Sequence, residues 1–529
     1  MADVSGAGFD ADVAVVGSGF GGAASALRLA ERGLDVIVLE RGRRLAPADI
    51  EAGRRDPRKL LWDPRIGLDR GYFWQRFFRD VGIIGATGVG GGSIVWGAVL
   101  LEPPNRFYAD PAWAGMADWR AELAPHLATA ARMLGLTDNP HLGRMDDYLR
   151  EAAEAVGAEA SFGPVPLGIH FGAGPGRSSP DPYFGGEGPE RTGCLLCGGC
   201  LAGCPYGAKN TLDLNYLHLA ERRGMRLLPG HEATAIAPIA GGGYEIAVAA
   251  GGRRSALRAR RVVLAAGVLG TLELLLRCRD ELGTLPRLSP RLGRAVRTNS
   301  EAVTAVMQPP GDDLSRGPSI SSDFHPDERT HVTQNRYVGG GHLRWMLGPL
   351  VDGDDPSRRR RQVLAAIARS PVRQLRLLGT RGFEQRLTAL TVMQDIESEI
   401  EFRLGRSPAR PWRRVLRSRA VEGRRPPSYL AVANRVTREF AAASGGRPLN
   451  LLPESAGGLS VTAHVLGGAA IGPDPGSGVI DARHEAYGHP GLFVADASAI
   501  PANLGVNPSL TITALGERFA AVMPVSRSG

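Results

Sequence analysis

Residues 12–40 constrain this chain more than any other stretch. Asp12 to Val16 reads as a short buried strand, and Gly17-Ser18-Gly19-Phe20-Gly21-Gly22 follows at once. Ala23 to Arg32 has helical character, Asp35 to Leu39 is a second apolar strand, and Glu40 closes it. A Gly-x-Gly-x-x-Gly loop between strand and helix, with an acid about 20 residues further on, is the dinucleotide-binding βαβ fingerprint. Gly17 makes the tight turn, Gly19 lets the backbone approach a pyrophosphate, and Gly22 lets the helix pack on the strand. The helix N-terminus then faces the phosphates, and Glu40 can accept a hydrogen bond from a ribose hydroxyl. The fingerprint alone does not separate NAD from FAD, although a place at the extreme N-terminus is common where FAD is resident.

The chain is 529 residues long, which predicts about two to four domains. Glycine is the compositional outlier, with 71 residues, or about 13% against an average near 7%. The glycines cluster in loops without a G-X-Y period, which points to close backbone approaches to a ligand. The net charge is +9, carried almost wholly by arginine, with Lys59 and Lys209 the two lysines. No zinc-finger spacing or RNP-like aromatic motif accompanies it, so no nucleic-acid partner is expected. Basic charge does suit an anionic membrane surface. Met1 to Asp10 carries two acids and no base, unlike a secretory n-region. No run of about 18 apolar residues suggests a span. The expected location is cytoplasmic, with peripheral membrane contact in view.

Three further blocks follow the fingerprint. Residues 85–97 read GATGVGGGSIVWG, centred on Gly90, Gly91, Gly92 and Ser93. Residues 262–277 form a buried strand, then Ala265-Ala266-Gly267, then a helix start. Near the end come His464-Val-Leu-Gly-Gly, the strand-like FVAD ending at Asp496, and Gly505-Val-Asn507-Pro508-Ser-Leu-Thr. In this order the blocks resemble the glucose–methanol–choline (GMC) family of FAD-dependent alcohol oxidoreductases, over most of the chain. The middle portion, with a Cys-rich run followed by Gly207-Ala-Lys-Asn-Thr-Leu212, is closest to the actinobacterial cholesterol-oxidase-like branch.

The resemblance implies an α/β (α+β) fold in which a Rossmann-like FAD-binding domain (8–100, 207–305 and 460–525) is interleaved with a substrate domain of β-sheet plus helices (101–206 and 306–459). It implies that Ala266 and Gly267 end a strand beside the FAD, and that Ala235 lies on a short strand reading the adenine edge. Asp496 would meet ribityl or pyrophosphate-side groups, or cap a helix. The Asn507–Pro508 segment would offer backbone donors to the flavin, with the helix from Leu510 pointing its positive end there. His464 and Asn507 resemble the family's active-site pair. A histidine suits proton transfer near neutrality, and an asparagine amide can hold the substrate oxygen or the flavin edge. Cholesterol-type relatives also use a glutamate base on a substrate-domain strand, for which Glu384 is the nearest candidate; a surface glutamate is the alternative. Many relatives have Asn or His where this chain has Trp96, and such a His can carry a covalent flavin bond, so FAD is expected to be bound non-covalently.

Cys194, Cys197, Cys200 and Cys204, followed by Pro205, match the C-x2-C-x2-C-x3-C-P spacing of a [4Fe–4S] run. The fourth ligand is open between Cys204 and Cys278. Structural zinc, a redox disulfide and plain thiols are the alternatives. Lys209 is a point charge that could serve reduced flavin or a phosphate, or simply lie on the surface. Arg358 to Arg361, then Arg369, Arg373 and Arg376, alternate with Val363, Leu364, Ile367, Val372 and Leu375. This predicts a basic amphipathic helix pair near a substrate opening, suited to a membrane surface or to a solvated face. The expected activity is oxidation of a hydroxyl on a bulky apolar alcohol, a sterol or long-chain alcohol, by hydride transfer to flavin N5, with oxygen or a carrier as acceptor. The alternatives are an FAD dehydrogenase of a sugar, glycoside or secondary metabolite, and a non-catalytic electron-transfer flavoprotein.

Overall fold

A computed structural model describes residues 8–339, 341–407 and 412–524. The reading of a missing secretory signal rests mainly on residues 1–7, which lie outside the described residues. The core is a seven-stranded sheet in which Arg226–Pro229, Val36–Glu40, Ala11–Val16 and Arg253–Leu264 lie side by side. The first two pairings are parallel, with Val13 beside Val36 and Val16 beside Leu39. Strands covered on both faces read as unbroken apolar runs, and VAVV, VIVL and VVL are such runs. Arg253–Leu264 does two jobs. Its first half forms an antiparallel hairpin with Tyr244–Ala250, and its second half runs parallel to Ala11–Val16 and to Leu492–Val494. The last strand is therefore brought to this sheet from 230 residues away in sequence, with Leu492 beside Val262.

Two helices close one face. Phe20–Glu31 lies against Ser509–Val522, and glycines allow the approach, since a Cβ on Gly516 would fall 2.9 Å from Gly21 O. Arg28 pairs with Glu517 at 2.6 Å, and Tyr216 Oη donates to the same carboxylate at 2.6 Å. A second seven-stranded sheet, antiparallel where its register is defined, runs Leu347–Pro349, Arg447–Leu451, Ala302–Met307, Leu387–Gln394, Thr330–Asn335, Ser322–Asp327 and Gly163–Pro164. Its own apolar clusters, around Phe324 and Phe440 and around Leu387 and Leu449, are separate from the main core. A three-stranded sheet joins Phe73–Phe77, Val81–Ala86 and Ser460–Thr462, the last of them in contact with Ala302–Met307 of the second sheet.

Two segments sit differently from expectation. The expected boundary at 305/306 cuts through Ala302–Met307, all of which belongs to the second sheet. The helix Trp119–Met133, expected on the substrate side, packs on Ser509–Val522 and is tied there by Arg518 to Glu122 at 2.6 Å. Its apolar stripe of Trp119, Leu123, Leu127 and Ala130 is buried, as an amphipathic helix requires. No helix among the described residues is long and apolar enough to cross a membrane.

Candidate active site

A cavity of about 400 Å³ runs from Gly17, Gly19 and Glu40 at one end to His464 and Asn507 at the other. Backbone geometry shapes its first end. Gly17 has φ +105°, and a Cβ there would lie 2.3 Å from Ala265 O. A Cβ on Gly22 would lie 2.1 Å from Gly17 O, so only glycine lets the helix close on the turn. At Gly19 a Cβ would meet no protein atom within 4 Å; that position opens on the cavity. Glu40 is buried and accepts from Ser18 N at 3.2 Å, Ser18 Oγ at 2.7 Å and Gly42 N at 2.8 Å. A carboxylate has about four lone-pair sites, so one remains for a ribose hydroxyl.

Ser18 carries the order onward. Gly90 N donates to its hydroxyl at 3.1 Å, and Ser93 Oγ donates back to Gly90 O at 2.7 Å. Gly91 and Gly92 thereby line the cavity, whereas Gly90 and Ser93 hold the turn behind it. Ala266, Gly267, Asp496 and Pro508 also line it. Asp496 lines the cavity and also caps a turn. It accepts from Ser498 N at 2.8 Å as a cap and from Thr271 Oγ1 at 2.6 Å, while burial raises its pKa. Ala235 is the exception. The register slips between Ala233 and Ala235, and Ala233 is the residue facing the cavity. A bulge changes which residues point to which face.

At the other end His464 meets two partners. Its Nδ1 contacts Glu301 Oε1, and its Nε2 lies 3.4 Å from Asn507 Nδ2. Glu301 also accepts from Ala463 N at 3.3 Å. The Glu301 side chain is 3% exposed and that of His464 17%. A carboxylate at Nδ1 fixes the tautomer with the proton on Nδ1, which leaves the Nε2 lone pair toward Asn507 and the cavity. The arrangement can therefore accept a proton at Nε2 while Glu301 offsets the charge that forms, the logic of an oriented histidine base. Behind Glu301 lies buried Glu454, whose carboxyl is pushed well up by burial and then by Glu301 itself.

Glu301 was missed by sequence reasoning. It belongs to no motif and lies 163 residues from His464. The one signal was an acid placed directly before a buried apolar strand. Glu384, the expected glutamate, is not brought to the cavity. It sits on the short helix Phe383–Arg386 ahead of Leu387–Gln394, and its carboxylate lies beside Gly341. The cavity-lining residues of that strand are Thr391 and Met393, the nearer one four residues beyond its first residue Leu387, roughly 13 Å along at about 3.3 Å per residue.

The residues present fit FAD. The open face of Gly19 and the remaining acceptor site of Glu40 suit a pyrophosphate and a ribose. Three buried polar atoms of cavity residues, Trp74 Nε1, Trp96 Nε1 and Asn507 Oδ1, have no protein hydrogen-bond partner, and such atoms normally have one. Trp96 packs edge-on against Phe20 at 5.1 Å and offers no nucleophile for a covalent link.

Lys209 is not at the cavity. It is 1% exposed and gives its three protons to Ile94 O at 2.8 Å, Trp96 O at 3.2 Å and Cys200 O at 2.7 Å. Burial lowers its pKa to about 8. The lysine thus ties the Gly-rich segment to the cysteine run instead of serving flavin or phosphate directly. Cys194, Cys197, Cys200 and Cys204 line one small pocket together. Cys278 is elsewhere, buried on the helix Gly267–Asp280 with its sulfur accepting from Ile236 N at 3.3 Å. In the arginine run, Arg359 is buried and clamps Gly353 O and Ser428 Oγ.

The fold and cavity define a flavin-dependent oxidoreductase, and comparison with known proteins agrees. A family profile described as "FAD dependent oxidoreductase" matches residues 12–51 and one described as "GMC oxidoreductase" matches residues 428–516. A cholesterol oxidase of Mycobacterium tuberculosis (strain CDC 1551 / Oshkosh) is 41% identical, over 97% of this chain and 91% of its own length. One from Acinetobacter baumannii is 38% identical over 98% and 95%. Among solved structures, pyridoxine 4-oxidase from Mesorbium loti has a TM-score of 0.63 at 16% identity, covering 97% of this chain and 99% of that one. A fungal aryl-alcohol oxidase has 0.59 at 16%, over 98% and 99%. The chain belongs to the GMC oxidoreductases: it is an FAD-dependent enzyme acting on alcohols.

Proposed function

We propose that the protein oxidises a primary or secondary hydroxyl of a bulky apolar alcohol, a sterol or long-chain alcohol, to the carbonyl. The observation that carries this reading is the pairing of His464 and Asn507 with an apolar wall. Val303, Ile320, Met393 and Val461 line the same cavity as the two polar groups. The names of the relatives support it: two cholesterol oxidases at about 40% identity, and a long-chain-alcohol oxidase of Arabidopsis thaliana at 24%, over 97% of this chain and 67% of its own length. Bound FAD supplies the hydride acceptor. His464 Nε2 takes the hydroxyl proton as the C–H bond breaks. Asn507 holds the oxygen as its charge grows, and Glu301 keeps the imidazole in the accepting tautomer. Gly17, Gly19, Gly22, Glu40, Gly90, Gly91, Gly92, Ser93, Ala266, Gly267, Asp496 and Pro508 build or brace the cofactor end. The cofactor part takes 8–100, 207–301 and 460–524, and 302–459 forms the main substrate part. The electron acceptor is oxygen or a separate carrier.

The arginine-rich helices Pro356–Arg369 and Pro371–Leu378 support work at an anionic lipid surface. Leu364, Val372 and Leu375 are 56–66% exposed among Arg360, Arg361, Arg373 and Arg376, a mixed patch that suits interfacial binding. Apolar alcohols of this class reside in membranes. Five unpaired cysteines among the described residues favour a reducing, cytoplasmic setting.

A second reading, oxidation of a glycoside, has the support of 26% identity to paromamine 6'-oxidase of Streptomyces fradiae, over 96% of this chain and 90% of that protein. Anaerobic mixing of the purified protein with cholesterol, hexadecanol, an aminoglycoside and a simple sugar separates the two. Bleaching of the flavin band by the apolar alcohols supports the first reading, and bleaching by the glycoside alone would replace it. Acid precipitation should release the yellow colour into the supernatant, as a non-covalent FAD requires.

A further inference from the structure

The cysteine pocket has no part in the chemistry above, yet it is built with care. Cys194, Cys197, Cys200 and Cys204 all line it, together with Ile169, Leu195, Tyr206 and Lys209. The loop bends around it through left-handed backbone at Leu196 (φ +54°), Gly198 (φ +66°) and Gly203 (φ +100°). A non-glycine residue in that region costs energy that the surroundings must repay. The segment from Ser315 to Ser319 closes the other side, with Gly198 N donating to Gly317 O at 2.8 Å and Ser319 Oγ to Gly198 O at 2.8 Å.

Charge is the second observation. Lys209 lines the pocket, is 1% exposed, and bonds only neutral carbonyls. Arg54 directs Nη2 to Cys197 Sγ at 3.4 Å, and a Cβ on Gly199 would strike that guanidinium. Neither cation forms an ion pair with a carboxylate among the described residues. Lys209 is fully buried and Arg54 half-buried, and a buried cation without a close counter-ion is costly. Four thiolates around a metal centre carry the net negative charge that both cations lack.

Spacing separates the metals. A mononuclear zinc with Zn–S of about 2.3 Å needs its sulfurs nearly in contact. No three of these sulfurs lie within 4.8 Å of one another; among the described residues only Asp323, His325 and His331 form such a group. A polynuclear cluster holds its thiolates further apart, and the C-x2-C-x2-C-x3-C-P run is a cluster spacing. The fourth cysteine, which in a two-cluster protein serves the other cluster, here faces the same pocket.

We propose that this pocket binds a [4Fe–4S] cluster through Cys194, Cys197, Cys200 and Cys204, and that the cluster is an electron outlet beside the cofactor cavity. The two sites adjoin. Lys209 Nζ bonds Cys200 O on one side and Trp96 O on the other, and Trp96 and Leu201 line the cofactor cavity. The alcohol loses a hydride and a proton to become a carbonyl, which leaves two electrons on the cofactor. The cluster takes them one at a time and passes each to a one-electron acceptor protein, two equivalents per alcohol, with the protons going to solvent. Only this direction of flow rests on the alcohol-oxidation reading; the cluster itself does not.

The test is iron, acid-labile sulfide and zinc analysis of the full chain purified and reconstituted anaerobically. About four iron and four sulfide per flavin are expected, with a paramagnetic signal on reduction by dithionite. Cys200→Ser should lose the iron and keep the flavin. One zinc per chain, or four cysteines that remain reactive to a thiol reagent after reconstitution, overturns the site. If Cys200→Ser does not fold, the wild-type analysis still decides. If the cluster is present and dithionite reduces it but a sterol that bleaches the flavin does not, the outlet is overturned and the site stands. Bleaching is read separately, so a wrong substrate class cannot be mistaken for a missing cluster.

Discussion

Glu301→Gln is the substitution that most directly tests the proton relay. It keeps the shape of the side chain and removes its charge. In the wild-type chain the two carboxylate oxygens accept from Ala463 N and from His464 Nδ1. A glutamine has one acceptor oxygen for these two donors. Its NH2 must face either the Ala463 N–H or the Nδ1 side of the imidazole. Facing Nδ1 drives the proton to Nε2, the atom that must be empty. Charge adds to this. A carboxylate about 4 Å from the centre of the imidazolium is worth about 4 kcal/mol at an effective dielectric constant near 20, suited to a pair that is buried on one side and partly exposed on the other. That corresponds to a loss of about 10³-fold in rate, within the 10²–10⁴ range of general-base catalysis. The assay is anaerobic stopped-flow reduction of the flavin by cholesterol or hexadecanol across pH 6–9, which isolates the reductive step from reoxidation. Flavin content should match the wild type, because Glu301 is remote from Gly17 and Glu40. A reduction rate within threefold of the wild type at pH 7, with flavin retained, would refute the relay.

His464→Ala should lower the same rate by about 10²–10⁴-fold, whereas Glu384→Gln should stay within threefold, because that residue does not line the cavity; a large loss at Glu384 would move the base there. Leu375→Asp combined with Arg373→Glu should abolish co-sedimentation with anionic vesicles and leave turnover on detergent-dispersed alcohol unchanged, and equal sedimentation would remove the lipid-surface reading. His484 is fully buried, donates Nδ1 to Val494 O at 2.8 Å, and has its pKa lowered to about 4 by burial. The unfolded chain therefore binds more protons below about pH 6.5, so stability is lost as pH falls from about 6.5 toward 4, by an amount on the order of 3 kcal/mol. Asparagine tolerates the φ of +69° at this position, and His484→Asn should flatten the dependence of melting temperature on pH in that window; an unchanged slope would assign the acid sensitivity elsewhere.

Some of this was legible in the sequence because the constraint is local. Gly17, Gly19 and Gly22 are needed by a turn, an open face and a close helix contact, all within six residues of chain, so the pattern is written in adjacent letters. The apolar runs of the parallel strands are readable for the same reason: a strand buried on both faces has no polar alternation. The sequence of blocks ending in His464 and Asn507 picked out two residues that lie 3.4 Å apart at one end of the cavity.

What only the tertiary structure decided depends on contacts between distant segments. Glu301 reaches His464 because Ala302–Met307 starts beside the end of Ser460–Thr462, and nothing in either segment names the other. Glu384 had the right chemistry but lies on the helix ahead of its strand, seven residues before Thr391, the first residue of that strand to line the cavity, a matter of placement that composition does not carry. The slip at Ala233 and Ala235 moved the cavity-facing residue by two positions. Lys209 looked like a free point charge until its three protons were seen to be spent on three carbonyls, and Cys204 looked able to leave its run until it was found lining the same pocket as the other three. A motif specifies backbone conformation over a few residues; which side chain meets which is set by how the sheets pack, since burial selects faces and registers only once the whole chain has collapsed.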